Sequence, residues 1–186
     1  MSKIEIARDM AKGYMNSFPT VIGIPTEELI SKLPDISTGN LILVDVRDNR
    51  EQNISMIDGA ITKDFFEEHY LKNPSYSFDQ SESLVVVYCT VGYRSGLYCQ
   101  LLMSRNIPCR NSEGIVVWTH FDQPLKVPGS ANDSGYGTET ISRIRRVHTY
   151  GAQWDLIADG YESVYFSTFE IGMIVLLSFF RGWLWQ

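Results

Sequence analysis

The sequence lacks an excess of basic residues. Its 16 lysines and arginines stand against 22 aspartates and glutamates, which gives a formal net charge of -6 at pH 7. Nucleic-acid binding normally needs a basic face that displaces counterions from phosphates. We therefore expect no nucleic-acid partner, and the composition favours a small diffusible substrate or a protein partner instead.

Cysteine and histidine are also scarce. Three cysteines among 186 residues form neither a disulfide framework nor a zinc-ligand spacing, and the odd number leaves at least one thiol free. The three histidines, His69, His120 and His148, stand far apart without ligand spacing. We expect no metal and no other cofactor, and the free thiol favours a reducing compartment.

The chain has few long apolar runs. Glu5 and Asp9 interrupt the first residues, which fit neither a secretory signal nor a transit peptide, so a cytoplasmic location is expected. Residues 171–180 are uncharged but shorter than the roughly 20 residues of a membrane span. This tail is predicted to pack on the domain or form a homodimer interface. Weak membrane association is the open alternative, because Trp183 and Trp185 suit an interface.

Two short apolar runs, residues 41–46 and 84–88, are rich in β-branched side chains. This pattern is typical of strands buried on both faces of a parallel sheet. Segments with helical spacing lie between and after them, which predicts an α/β fold with a central parallel sheet and helices on both faces. We divide the chain into an N-terminal helix over residues 1–20, a domain over 21–126 and a C-terminal extension over 127–186.

Cys89 stands at the carboxyl end of the second apolar run, where open α/β sheets place their ligands. A glycine-containing loop and a helical pattern follow it, so loop amides and the helix start can converge on the sulfur. A free thiol titrates near about 8.5, and a helix N-terminus with a guanidinium lowers that pKa. Cys89 is the predicted nucleophile, and the predicted substrate-binding residues are Thr90, Val91, Gly92, Tyr93, Arg94 and Ser95.

Charged residues near the first apolar run are predicted to support this site. Asp45 and Arg47 are expected to tie the loop after the first strand to its neighbours by ion pairing. Glu51, one helical turn after Arg47, is expected to pair with it. Arg94 is expected to lie near the Cys89 sulfur, and capping of an acidic side chain is its alternative role.

The loop Cys89-x4-Arg94-Ser95 at a strand-to-helix turn resembles the active-site loop of the rhodanese family. Two further blocks resemble that family in the right order, so the resemblance spans residues 21–126. They comprise Asp45-Val46-Arg47-Asp48 with Glu51 and Gly59-Ala60, and Gly114 with Trp118, Pro124 and Leu125. Met56 departs from the pattern, because the family commonly has histidine there.

The resemblance implies a sulfurtransferase that carries sulfane sulfur as a persulfide on Cys89. The donor would be thiosulfate or a similar small anion, and the acceptor cyanide or a thiol such as glutathione or a thioredoxin-like protein. The covalent intermediate implies ping-pong kinetics. The resemblance implies no cofactor.

Two other functions remain open at this point. Phosphatases and arsenate reductases of similar fold use Cys-x5-Arg, but here that arginine would fall on Ser95, and Tyr88 stands where tyrosine phosphatases generally have histidine. A second match, Cys99 to Arg105, lies inside a helical pattern without glycine, so Cys99 is predicted to be a core residue. The other alternative is a rhodanese-like interaction module that the tail docks to a membrane or a second subunit.

Overall fold

The structure, a computed structural model, describes residues 1–73, 83–128 and 144–166. Within these ranges the strands are β1 (Ile22–Ile24), β2 (Leu41–Asp45), β3 (Met56–Ile57), β4 (Ile61–Thr62), β5 (Leu84–Tyr88), β6 (Cys109–Ser112), β7 (Leu125–Lys126), β8 (Arg146–Tyr150) and β9 (Glu162–Tyr165). The α-helices are α1 (Lys3–Met15), α2 (Thr26–Lys32), α3 (Asn49–Gln52), α4 (Lys63–Phe66), α5 (Tyr93–Ser104) and α6 (Ile115–Trp118). The apolar tail over residues 171–180 lies outside the described residues.

A five-stranded sheet with the strand order β1-β6-β5-β2-β4 forms the centre of the domain, and all its strand pairs are parallel. Every residue of β2 is buried. Leu41 and Leu43 contribute to one hydrophobic cluster, whereas Ile42 and Val44 contribute to another. Because successive side chains of a strand point to opposite faces, the sheet has a core on each side. The near-continuous apolar run in the sequence follows from this double burial.

Helices cover both faces of the sheet. Ala7 of α1 and Leu29 of α2 pack in the first cluster together with the residues of α6. Phe66 of α4 and Leu102 of α5 pack in the second cluster. The predicted α/β fold, with a central parallel sheet between helices, is therefore confirmed.

Part of the C-terminal extension packs on the domain. Strands β8 and β9 form a parallel two-stranded sheet of their own. Val147 and Ile157 belong to the first hydrophobic cluster, and the Ser55 hydroxyl donates to the backbone oxygen of Arg146 at 2.6 Å. Residues 144–166 therefore lie against the same core as the sheet.

None of the helices in residues 1–73, 83–128 and 144–166 has the length and apolar character needed to cross a membrane.

Candidate functional site

The loop after β5 curls tightly around its own start. Gly92 has φ of 93°, a left-handed conformation that glycine adopts without steric cost. The side-chain amide of Asn111, on β6, donates to the Gly92 oxygen at 2.8 Å. A β-carbon at Gly92 would lie 3.4 Å from the Ser112 oxygen, which is a tight contact. The loop thus turns back at Gly92, and α5 begins at the next residue.

Cys89 directly follows β5, and only 2% of its surface is exposed. Its sulfur accepts a hydrogen bond from the Gly92 amide at 3.2 Å and one from the Ser95 hydroxyl at 3.4 Å. Both donors therefore meet at the sulfur atom, one from the loop and one from the first turn of α5. Such donors stabilise negative charge on an atom placed at Sγ.

The segment at the start of α6 donates hydrogen bonds to the backbone of the Cys89 loop. The Ile115 amide donates to the Cys89 oxygen at 2.9 Å, and the Val116 amide donates to the Thr90 oxygen at 3.2 Å. Gly114 precedes these donors with φ of 98°, and a β-carbon there would lie 2.4 Å from the Thr90 oxygen. The backbone before α6 can approach the loop this closely because residue 114 is glycine.

Arg94 pairs with Glu51 through two hydrogen bonds, of 2.5 Å to Oε2 and 2.8 Å to Oε1. It also donates to the Thr90 hydroxyl at 2.9 Å. Within the described residues no hydrogen bond joins Arg94 to the Cys89 sulfur. Arg94 therefore has the role that was expected as its alternative, which is capping of an acidic side chain.

The predicted ion pair between Glu51 and Arg47 is wrong. Helix α3 begins at Asn49 with Asp48 as its N-cap, so Arg47 lies outside the helix and does not share its face with Glu51. Arg47 instead pairs with Asp45 at 2.7 Å, and both side chains are fully buried. The side chain of Glu51 is left to face Arg94.

Glu51 is a fully buried carboxylate with an unusual environment. Burial opposes its charge, but hydrogen bonds from Arg94 and the proximity of His148 outweigh burial and hold the pKa of Glu51 well below 4.5. The Nδ1 atom of His148, which comes from β8, lies 3.7 Å from Glu51 Oε1. Glu51 therefore remains ionised at neutral pH and compensates the charge of Arg94.

Asp45 and Arg47 form a second buried ion pair. The Tyr88 hydroxyl donates to Asp45 Oδ2 at 2.6 Å, and Arg47 also donates to the Ser55 oxygen at 2.6 Å. Burial and the neighbouring Asp45 raise the pKa of Tyr88. Neither Asp45 nor Arg47 lines the cavity described next, so the structure gives both the structural role expected of them.

A cavity of about 380 Å³ opens above Cys89. Three of its lining residues come from outside the predicted loop: Tyr14 from α1, Tyr150 from β8, and Trp154 from the turn that follows. None of these three was predicted from the sequence. For Tyr150 and Trp154 the signal was no more than the number of aromatic residues over 141–167, and for Tyr14 it was no more than the helical spacing of the first residues. The lining residues are Tyr14, Cys89, Thr90, Val91, Tyr93, Arg94, Tyr150 and Trp154.

The aromatic side chains of this lining contact one another in pairs. The ring of Tyr93 lies 5.4 Å from that of Tyr14, and Tyr150 lies 5.5 Å from Trp154, measured between centroids. The Trp154 indole donates to the Tyr14 hydroxyl at 3.3 Å. The Arg94 guanidinium lies over the Tyr150 ring at 5.1 Å. Helix α1 and the C-terminal extension thus meet around the mouth of the cavity.

Cys99 and Cys109 lie away from this cavity. Cys99 is fully buried in α5, and Cys109 is buried at the start of β6. A hydrogen bond with Cys109 and burial raise the pKa of the Cys99 thiol. The sequence match from Cys99 to Arg105 is therefore part of a helix and its core, as predicted.

Comparisons with known proteins find similarity in structure but not in sequence. No protein-family model matches the chain, and no curated protein matches it. A thiosulfate sulfurtransferase from Pseudomonas aeruginosa is 19% identical with a TM-score of 0.48, and the match covers 65% of this chain but only 23% of that protein. The chain thus spans about a quarter of that protein's length.

Two smaller proteins are matched over nearly their whole length. A rhodanese-like domain protein from Staphylococcus aureus is 24% identical with a TM-score of 0.45, covering 57% of this chain and 98% of that one. A protein of unknown function from Rhodopseudomonas palustris, named as a possible tyrosine phosphatase, is 21% identical with a TM-score of 0.45, covering 66% and 93%. The activity has to be argued from the residues of this chain.

Proposed function

We propose that this chain is a sulfurtransferase that carries sulfane sulfur as a persulfide on Cys89. The observation that supports it most is the pair of donors at the Cys89 sulfur, the Gly92 amide and the Ser95 hydroxyl. Such donors suit an atom that carries negative charge both before and after the transfer. The open cavity above the sulfur gives a donor molecule a place to bind.

The first half of the reaction loads the cysteine. The Cys89 thiolate attacks the terminal sulfur of a donor such as thiosulfate, a new sulfur–sulfur bond forms, and the old one breaks. Sulfite leaves with the electron pair of the broken bond. The product is a persulfide anion on Cys89, so charge and electrons balance without an oxidant.

The second half of the reaction transfers the sulfur from the Cys89 persulfide to an acceptor. A nucleophilic acceptor attacks the outer sulfur of the persulfide, and the Cys89 thiolate leaves with the bonding electrons. Cyanide gives thiocyanate by this step, and a thiol such as glutathione or a reduced thioredoxin-like protein would take the sulfur in the same way. A reducing compartment such as the cytoplasm, which keeps all three thiols free, belongs to this proposal.

The length of the loop favours sulfur over phosphate. A phosphatase loop would need an arginine at residue 95, but the residue there is Ser95, whose hydroxyl contacts the Cys89 sulfur. Arg94 one position earlier is engaged by Glu51. The Arg94 guanidinium therefore already has a carboxylate partner within the protein.

The experiment is sulfur loading followed by discharge. The purified protein is incubated with a sulfane-sulfur donor, its intact mass is recorded, and cyanide is then added. We expect a gain of one sulfur, about 32 Da, that is confined to Cys89 and discharged as thiocyanate. Cys99→Ser is the matched control that keeps loading, whereas Cys89→Ser loses it. Absence of loading by both thiosulfate and organic thiosulfonates would overturn the proposal and favour an interaction module.

A further inference from the structure

A second cavity, of about 400 Å³, is lined by residues of α1, β1 and β6. It shares no lining residue with the cavity above Cys89. Met15, Ile24 and Pro25 contribute apolar walls. The volume falls in the range of pockets that bury a small organic molecule. Sulfur transfer at Cys89 makes no use of this space.

The side chain of Asn111 belongs both to this second cavity and to the support of the Cys89 loop. It is 1% exposed, and its Nδ2 donates to the Gly92 oxygen at 2.8 Å. A carbonyl oxygen can only accept a hydrogen bond, so the amide nitrogen of Asn111 has to face Gly92. Within the described residues the other amide atom, Oδ1, has no hydrogen-bond partner. Because a buried acceptor without a partner costs free energy, a hydrogen-bond donor on a ligand would gain affinity at Oδ1.

The charged side chains of the lining favour a ligand that carries both signs of charge. Arg8 is already paired, with Glu27 at 2.6 Å and with Glu113 at 3.3 Å. Asp9 and Lys12 are exposed, and neither forms an ion pair in the part of the chain that the structure describes. They stand three positions apart on α1, and side chains at this spacing are neighbours on a helix surface. One molecule with an ammonium and a carboxylate can therefore meet both of them.

We propose that the second cavity binds a free α-amino acid whose side chain ends in an uncharged hydrogen-bond donor. The α-ammonium binds Asp9, the α-carboxylate binds Lys12, and the side-chain donor binds Asn111 Oδ1. Glutamine has the required form, because an unbranched chain carries its amide N–H groups. A charged end such as that of lysine is disfavoured, since moving it next to apolar walls is costly.

Occupancy of this site acts on the Cys89 loop through Asn111. The Gly92 residue that accepts from Asn111 also donates its amide to the Cys89 sulfur, at 3.2 Å. Hydrogen bonds in series polarise one another. A donor on Oδ1 therefore strengthens the hydrogen bond from Nδ2 to the Gly92 oxygen.

The test is a titration of the isotope-labelled full chain with L-glutamine, followed by nuclear magnetic resonance. We expect the side-chain amide of Asn111 and the backbone amide of Gly92 to shift together with a single Kd. L-methionine has a side chain of similar length without an N–H donor, and its Kd should be about tenfold higher or more. N-acetyl-L-glutamine lacks the ammonium charge, and its Kd should be about threefold higher or more.

Exchange of the two exposed charges tests the other end of the ligand. Lys12→Ala and Asp9→Ala should each raise the Kd for glutamine about threefold or more. Lys72→Ala is the matched control, because Lys72 pairs with Glu68 and lines neither cavity, and it should bind glutamine as the wild type does. Thermal unfolding of all three variants should match that of the wild type, since each exchanged side chain is exposed.

Three results would overturn this inference. They are the absence of any shift at Asn111, a Kd for methionine equal to that for glutamine, and equal binding of glutamine by Lys12→Ala and Lys72→Ala. A shift at Asn111 with Gly92 unmoved would overturn the coupling to the loop. Sulfur loading of Cys89 is measured without added amino acid, so each of these results leaves the proposed sulfur transfer standing.

Discussion

Arg94 and Glu51 are joined by two hydrogen bonds, although 43 positions separate them in the sequence. The pair links α5, which begins at the end of the Cys89 loop, to α3, which follows the first buried strand. The Glu51 side chain has no exposed surface, whereas a third of the Arg94 side chain, 33%, is exposed. The ion pair thus holds the first turn of α5, next to the Cys89 loop, through a carboxylate in the protein interior.

Glu51→Gln should destabilise the fold. The substitution keeps the shape but removes the charge, so Arg94 is left partly buried without a counter-charge. Breaking a fully buried pair costs roughly 3–5 kcal/mol, and the exposed part of Arg94 lowers the expected loss to about 2–3 kcal/mol. Urea unfolding followed by circular dichroism measures this change in the free energy of unfolding.

The matched control for this prediction is Glu68→Gln. Glu68 pairs with Lys72 on the surface, and the two side chains are 63% and 69% exposed. Exposed pairs of this kind contribute less than about 1 kcal/mol, so the control should unfold almost as the wild type does. Equal effects of the two substitutions would contradict the role given to Glu51.

The stability of the protein should fall in acid, and Glu51 should contribute to that fall. Burial opposes its charge, but the Arg94 hydrogen bonds hold its pKa in the folded protein below the ordinary 4.5. The unfolded chain therefore takes up a proton at a pH where the folded protein does not, and acid favours unfolding. The stabilisation is fully present above pH 4.5 and is lost as the pH falls toward the lower folded pKa.

The contribution of Glu51 to the pH dependence of stability can be separated from the contributions of the other carboxylates. The free energy of unfolding is measured from pH 7 down to pH 3 for the wild type and for Glu51→Gln. The difference in the free energy of unfolding between the wild type and Glu51→Gln should be constant near neutral pH and should become smaller below about pH 4.5. A difference that stays constant over the whole range would show that Glu51 does not titrate on unfolding.

Gly114→Ala should disturb the loop that carries Cys89. Its β-carbon would lie 2.4 Å from the Thr90 oxygen, and the residue has φ of 98°, so both contact and conformation are unfavourable. We expect a loss of about 2–3 kcal/mol in stability and a large fall in the rate of sulfur loading. Gly13→Ala in α1 has open space around the new methyl group and should instead stabilise the fold by about 0.5 kcal/mol. Thermal unfolding and the loading assay distinguish the two.

Tyr88→Phe should affect stability more than sulfur transfer. The Tyr88 hydroxyl donates to Asp45 and accepts from the Ile57 amide at 3.0 Å, and its loss leaves that buried amide without its partner. The expected cost is about 2–3 kcal/mol. Tyr88 does not line the cavity, so the folded variant should still load Cys89. Tyr165→Phe, at a residue that is 50% exposed, is the control with little expected change.

The sequence predicted the features that depend on short stretches. Strands β2 and β5 were predictable because burial on both faces leaves almost no polar residue in either. The position of Cys89 followed directly, since the loop adjoins the strand. The partner of Glu51 was not predictable from helical spacing, because Arg47 lies before the N-cap of α3.

The aromatic residues of the cavity wall were not predictable from the sequence. Tyr14, Tyr150 and Trp154 are far from Cys89 in the sequence, and no local periodicity says which surface they reach. Their placement depends on how α1 and the C-terminal extension pack on the sheet. Hydrophobic patterning predicts that such segments are packed, but it does not specify against which element.

The meeting of Trp154 with Tyr14 has a consequence for how this protein can change over time. The Cys89 sulfur and its two hydrogen-bond donors lie in one short stretch of the chain, residues 89–95, which also forms part of the cavity wall. Tyr14, Tyr150 and Trp154 add the rest of the wall from segments near the two ends of the described chain. Substitutions in those segments can alter which molecule is accepted while the loop stays as it is. One part of the cavity wall can therefore vary while the loop around Cys89 is kept.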